Sequence, residues 1–168
     1  RSLPVQIIVH PRITGNIVGR DTTLCYNMNP DELYPLNAGP SGGTGLYYYQ
    51  WEQSPDNVTW NDAAGAAVAA AYDPPALIST TFYHRIVSSG ACTDISSPVT
   101  VTILPAITNN TVAADQTICE GSLFANLTGS APGGGAAPSY TYEWMSSSDN
   151  VNWEPAAATN NNASYDPQ

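Results

Sequence analysis

The feature that most constrains the fold of this chain is that it repeats itself. Residues 13–25, ITGNIVGRDTTLC, return as residues 107–119, ITNNTVAADQTIC, at an offset of 94 with seven of thirteen positions identical. Residues 47–60, YYYQWEQSPDNVTW, return as 140–153, YTYEWMSSSDNVNW, at an offset of 93 with eight of fourteen identical. Tyr72-Asp73-Pro74 returns as Tyr165-Asp166-Pro167. Three blocks in one order at one period describe two copies of one domain type. Tandem copies of a module serve length and multivalency more often than a single active site.

The same period sets the domain frame. Residues 4–13, PVQIIVHPRI, match residues 98–107, PVTVTILPAI, which close the full copy. Residues 1–12 are therefore expected to be the closing strand of a preceding repeat, 13–105 a complete repeat, and 106–168 a partial repeat lacking its last strands. On this reading the chain is a window on a longer array, and targeting signals are expected outside it. No apolar run approaches the ~20 residues that span a bilayer, so no membrane insertion is expected in this stretch.

A repeat of 93 or 94 residues suits one small β domain with its own core. Short runs rich in Thr, Val, Ile and Tyr are punctuated by Gly, Pro, Asn and Ser, and no long window keeps a helical apolar period. The spacing predicts strands at 22–26, 32–38, 80–89 and 98–104, with 13–18 opening the domain. The alanine-rich stretch 63–75 reads as an irregular crossing or short edge strand. Residues 39–45 and 132–138, both of low complexity, read as one surface loop in two copies. Six to eight short strands argue for an all-β, two-sheet antiparallel sandwich.

At the centre, a period of two places Tyr47, Tyr49 and Trp51 on one face of a strand. A turn at Ser54-Pro55-Asp56-Asn57 returns the chain antiparallel through Val58 and Trp60. Tyr49 and Trp51, with Tyr142 and Trp144 in the second copy, are expected as core aromatics. Trp60 and Trp153 are the candidates for exposed binding aromatics, since an edge hairpin leaves such rings open to a sugar face. Along 80–89, Tyr83, Arg85 and Val87 share one side.

Fourteen acidic residues against four arginines and no lysine give a net charge of −10, which argues against nucleic acid and anionic membranes as partners. Cys25 and Cys92 flank the full copy, so they are expected to form an intradomain disulfide in an oxidising compartment. Cys119 is the counterpart of Cys25 and is expected to be unpaired, its partner falling beyond the window. There is no nucleophile elbow, no phosphate loop and no paired carboxylate frame, so neither catalytic residues, nor a metal, nor a cofactor is assigned. A faint calcium-loop pattern over Asn27–Glu32 is lost in the second copy. Asn57, Asn109, Asn126 and Asn162 each head an Asn-x-Ser/Thr acceptor pattern.

Taken together, the Ile-Thr-x-Asn opening, the Cys, the Gly/Pro loop, Tyr-x-Tyr-x-Trp, the Ser-x-Asp-Asn-x-x-Trp hairpin and Tyr-Asp-Pro form one pattern. It continues in the full copy with Thr-Thr-x-Tyr-x-Arg and a closing Val-x-Val strand. This pattern resembles the immunoglobulin-like tandem repeats of very large bacterial cell-surface proteins, including type IX-secreted and gliding-motility adhesins. The resemblance implies tandem immunoglobulin-like antiparallel β-sandwich domains, the second truncated, on the cell surface or outside it. It implies a non-enzymatic spacer of a long extracellular adhesin or surface filament, partnered by neighbouring repeats or other copies of itself. Asp21-Thr22-Thr23 resembles an O-glycan acceptor of the same lineage, which makes Thr22 a modification candidate. Cys25 lies 26 residues before Trp51, about twice the spacing of antibody-type domains, so its disulfide is expected to tie loops at one end. The alternatives are a filament subunit that exchanges strands with its neighbours and a carbohydrate-binding module that uses surface glycans.

Overall fold

The computed structural model describes residues 3–113, 115–158 and 160–167. It divides into two compact units, one ending at Leu104 and the other beginning at Pro105. Among the described residues both are built from strands and turns, without a helix.

The first unit holds β1 (Thr22–Cys25), β2 (Tyr48–Ser54), β3 (Asn61–Asp62), β4 (Thr81–Ser89), β5 (Cys92–Ile95) and β6 (Val99–Leu104). They form one six-stranded sheet in the order β1-β6-β4-β2-β3, with β5 also paired to β4. The nine-residue β4 is the central strand, as its uninterrupted β-forming sequence predicts. The sheet is mixed rather than wholly antiparallel, because β1 runs parallel to β6 from Thr22↔Val101 to Cys25↔Leu104. A parallel pair needs a long connection between its strands, and the whole body of the repeat lies between these two.

The layer facing this sheet is not a second ladder. It consists of segments joined by single bridges, Leu33↔Tyr72, Val18↔Pro35 and Met28↔Leu77. The strand expected over 32–38 is reduced to these bridges, because Pro35 has no N–H to continue a ladder. The core lies between the layers: Trp51, Tyr83, Val99 and Val101 from the sheet meet Val18, Leu33, Ala63, Ala67 and Tyr72. The expected inner face of β4, Tyr83, Arg85 and Val87, is buried, as are Val99 and Val101 of β6, but His84 on the opposite face of β4 is buried as well.

Residues 3–10 form no strand, and the alternating Leu3, Val5, Ile7 and Val9 stand in solvent. At the end of that segment, Gly43 N–H donates to Pro11 O at 2.8 Å. Gly43 sits at φ 61°, and a Cβ there would come within 2.4 Å of Ser89 Cβ, so this close approach requires glycine.

The second unit holds β7 (Leu127–Thr128), β8 (Met145–Ser146), β9 (Glu154–Pro155) and β10 (Ser164–Tyr165). β10 pairs with β7, and β8 with β9, in two antiparallel ribbons. The Leu33↔Tyr72 bridge of the first unit recurs as the Leu127↔Tyr165 pair of the second.

Candidate functional site

The repeated aromatic hairpin is built from its turn outward. In the first unit Asp56 follows β2 and folds its carboxylate back over the turn. Oδ1 accepts from Val58 N–H at 2.9 Å, from Thr59 N–H at 2.7 Å and from the Ser54 hydroxyl at 2.9 Å. Asn57 takes the left-handed conformation at φ 58°, which Asn tolerates better than most residues. This arrangement corrects the expected return arm. Val58 and Thr59 give their N–H groups to Asp56, so the ladder resumes only at Asn61, opposite Gln53. Those donors hold the Asp56 carboxyl down at about 2, with the Thr59 N–H the largest contributor. The second unit repeats the device: Asp149 Oδ1 accepts from Val151 N–H at 2.9 Å and Asn152 N–H at 2.8 Å. Its carboxyl is likewise held far below the usual range, chiefly by the Asn152 N–H.

Under the hairpin of the first unit lies a buried arginine. Arg85 faces Trp51 across the β2–β4 pair, and both are fully buried. Its Nε donates to Asn16 Oδ1 at 3.0 Å and its Nη1 to Ala70 O. Its guanidinium carbon lies 5.1 Å from the Tyr49 ring centroid and 5.7 Å from that of Trp51, within cation–π range. Burial pushes the guanidinium pKa down, and Tyr49 opposes that shift. Asn16 is fixed in turn by donating to Arg85 O at 3.0 Å and Asp94 O at 3.1 Å. Arg85 and Asn16 thus join the strand layer to the bridged layer in the centre of the fold.

The alanine-rich stretch serves this centre. Trp51 N–H donates to Ala67 O at 2.7 Å, and its indole Nε1 donates to Ala69 O at 3.0 Å. Small side chains let that backbone approach the indole and the guanidinium closely enough for its carbonyls to accept from them. Sequence reasoning gave the stretch no such role. The usable signal was its place, between a Trp hairpin and a Tyr-Asp-Pro, in a fold with a buried cation to satisfy.

Trp60 and Trp153 differ in their surroundings. The Trp60 ring is half-buried and stacks on His84 with centroids 3.7 Å apart and planes 21° apart. His84 Nε2 in turn lies 2.7 Å from Glu52 Oε2. One face of the Trp60 ring is therefore already covered, whereas Trp153 is 54% exposed. Tyr49, Tyr142 and Trp144 are half-buried, and of the expected core aromatics only Trp51 is fully enclosed.

The cysteine pairing is corrected. Cys25, Cys92 and Cys119 are all free thiols. Cys25 lies opposite Leu104, beyond the Thr81 end of β4, while Cys92 lies opposite Ser89 at its other end. At about 3.3 Å per residue, β4 alone separates them by roughly 26 Å. A disulfide needs Cα atoms within about 7 Å. The two thiols thus mark opposite ends of the unit, and Cys92 Sγ sits 4.0 Å from Pro11 O.

Of the modification candidates, Asn57, Asn109, Asn126 and Asn162 are exposed, and Thr22 is half-buried at the start of β1. Asp31 and Glu32 of the faint calcium pattern lie in solvent. Among the described residues no three His, Cys, Asp or Glu side chains converge as a metal-binding group.

The family model described as "Domain of unknown function (DUF8696)" matches twice, over residues 14–105 and again over 108–168. The chain belongs to that family, and holds two of its domains in series. A search of curated proteins finds no match.

Proposed function

We propose that this chain is a structural, non-enzymatic stretch of a long extracellular bacterial adhesin or surface filament, made of immunoglobulin-like repeats placed in series. The observation that carries this reading is the same capped hairpin built twice, Ser54–Thr59 and Ser147–Asn152, each over an aromatic and a bridging Tyr. Repetition conserves what each unit needs in order to fold. The conspicuous polar groups of the first unit, Arg85, Asn16 and Asp56, are engaged in holding strands together rather than converging on an open cleft. An acidic, lysine-free surface keeps such units apart from one another and from anionic surfaces.

The test is the mass and location of the native polypeptide. Antibody against these 168 residues, which alone weigh 17.7 kDa, is used on reduced, denatured lysates of whole cells before and after external protease. A band many times heavier that external protease removes is the expected result. A band near the mass of the chain, surviving protease on intact cells, would overturn the proposal.

A further inference from the structure

The sheet of the first unit has an outer face, turned away from Trp51 and the core, with a set of side chains that the core does not use. Asp62, Glu52 and His84 lie opposite one another across β3, β2 and β4, and such cross-strand partners point to the same side. His84 Nε2 lies 2.7 Å from Glu52 Oε2, and the Trp60 ring stacks on the imidazole at 3.7 Å. His84 is buried, while Trp60 keeps part of its surface in solvent and Asp62 is exposed. Four residues before Glu52, on the same face of β2, Tyr48 is 64% exposed. At about 3.3 Å per residue, roughly 13 Å of strand separates those two positions. Gln50 lies between them, half-buried. The outward positions of β2 to β6 include no lysine and no arginine. The second copy shows that the fold does not require this set. It keeps Tyr142, Trp144 and the strand pair Met145↔Pro155, yet has Thr141 for Tyr48, Met145 for Glu52 and Pro155 for Asp62.

We propose that this face binds an uncharged polysaccharide, laid along β2 from Tyr48 to Trp60. Trp60 would carry one sugar ring on the side away from His84. A pyranose presents a face of C–H groups, slightly positive, to which the negative face of an indole is complementary. His84, itself held by Glu52, braces the indole, so the ring loses little freedom when a sugar settles on it. Tyr48 would carry a second sugar, with the Gln50 amide between the two rings and the Asp62 carboxylate beside Trp60 to bond hydroxyl groups. Small molecules take concave pockets, whereas two rings spaced along an open strand face suit a polymer that extends across them. The charge selects the polymer. Without a cation on the face, and with a net charge of −10, uronate or sulfated chains are repelled. An apolar protein surface would leave the Gln50 and Asp62 side chains without hydrogen-bond partners, which a polyhydroxyl chain supplies. The inference is independent of the structural role proposed above, and its failure would leave that reading standing.

The experiment runs the 168-residue chain through native gels that contain a soluble β-glucan, mannan, xylan or galactan, with polygalacturonate as the anionic comparison. Retardation by at least one uncharged polymer is expected, and none by polygalacturonate. Trp60→Ala and Tyr48→Ala are each expected to weaken the retardation at least fivefold, Trp60→Phe to fall between, and Trp153→Ala to leave it unchanged. Tyr48 stands in solvent, so its substitution tests the face even if Trp60→Ala disturbs the sheet, and amide exchange along β4 reports any such disturbance. Failure of all four uncharged polymers to retard the chain would overturn the proposal. So would full binding by Tyr48→Ala or by a folded Trp60→Ala chain, or equal retardation by polygalacturonate.

Discussion

The two repeats share their local devices and differ in their burial. Both close the hairpin with an aspartate over the turn, both put an Asn in the left-handed region, and both stack a Tyr on a Trp at nearly the same distance. Yet Trp51 is fully enclosed and Trp144 only half-buried. The first unit places a nine-residue central strand over its aromatic, and in the second unit a cavity lies beside it. The turn chemistry is local and forms in both copies, whereas the full burial of Trp51 needs segments distant in sequence, β4 among them.

The largest separation is expected at the tryptophans. Trp51→Ala removes a fully buried ring and is expected to cost about 3–5 kcal/mol. Trp144→Ala, at a half-buried site, is expected to cost roughly 1–2 kcal/mol. Amide hydrogen exchange, read separately for β2–β4 and for β8–β9, measures both without assuming one cooperative transition. Equal losses in the two units would break the comparison. Next comes Arg85→Met, which leaves Asn16 Oδ1 and the Ala70 carbonyl buried without their donor and is expected to cost about 2–4 kcal/mol. Its effect should be confined to the first unit, and an effect of that size on β7–β10 protection would contradict the assignment of these contacts to one repeat.

Much of this was legible in the sequence, for physical reasons. The alternation along 80–89 placed Tyr83, Arg85 and Val87 on one side because side chains on a strand have a period of two. The hairpin was legible from Asp56-Asn57, but its register was not. The return arm starts at Asn61 because the Asp56 carboxylate captures the N–H groups of Val58 and Thr59, a competition that spacing alone does not reveal. The alanine stretch was unreadable for the opposite reason. It contributes backbone carbonyls to Trp51 and Arg85, and side-chain pattern carries no information about where carbonyls point. The arginine cradle needed four segments brought together, and no single segment announces it.

Acid should affect the two turns in sequence. The folded-state carboxyl of Asp56 is lowered to about 2 from the ordinary 3.8, so its contribution to stability is full above about 4 and is lost as pH falls through 2. Asp149 is lowered further, so its turn should persist to lower pH. Carboxyl carbon NMR titration of the two aspartates measures this order directly. Asp56→Asn and Asp149→Asn should each remove the acid transition of the corresponding turn. Coincident midpoints near 4 would show that neither carboxylate is held by its backbone donors.

The smallest effect is expected at the thiols, and it sharpens the comparison by its absence. A disulfide between Cys25 and Cys92 would stabilise the first unit by about 4 kcal/mol in the chain-entropy model, so replacing either cysteine would have a cost comparable to losing Trp51. With the two thiols at opposite ends of β4, each substitution should instead fall within about 0.5 kcal/mol, as surface changes do. Cys25 and Cys119 are exposed, whereas Cys92 is half-buried against Pro11. A soluble thiol reagent should therefore label three groups per native chain, Cys92 the slowest. Cys25→Ser should slow none of the others. Labelling of a single thiol before reduction and three after it would mean that the chain bends its sheet far enough to join the two ends. The ordered central strand, on which the separation of the repeats rests, would then be wrong.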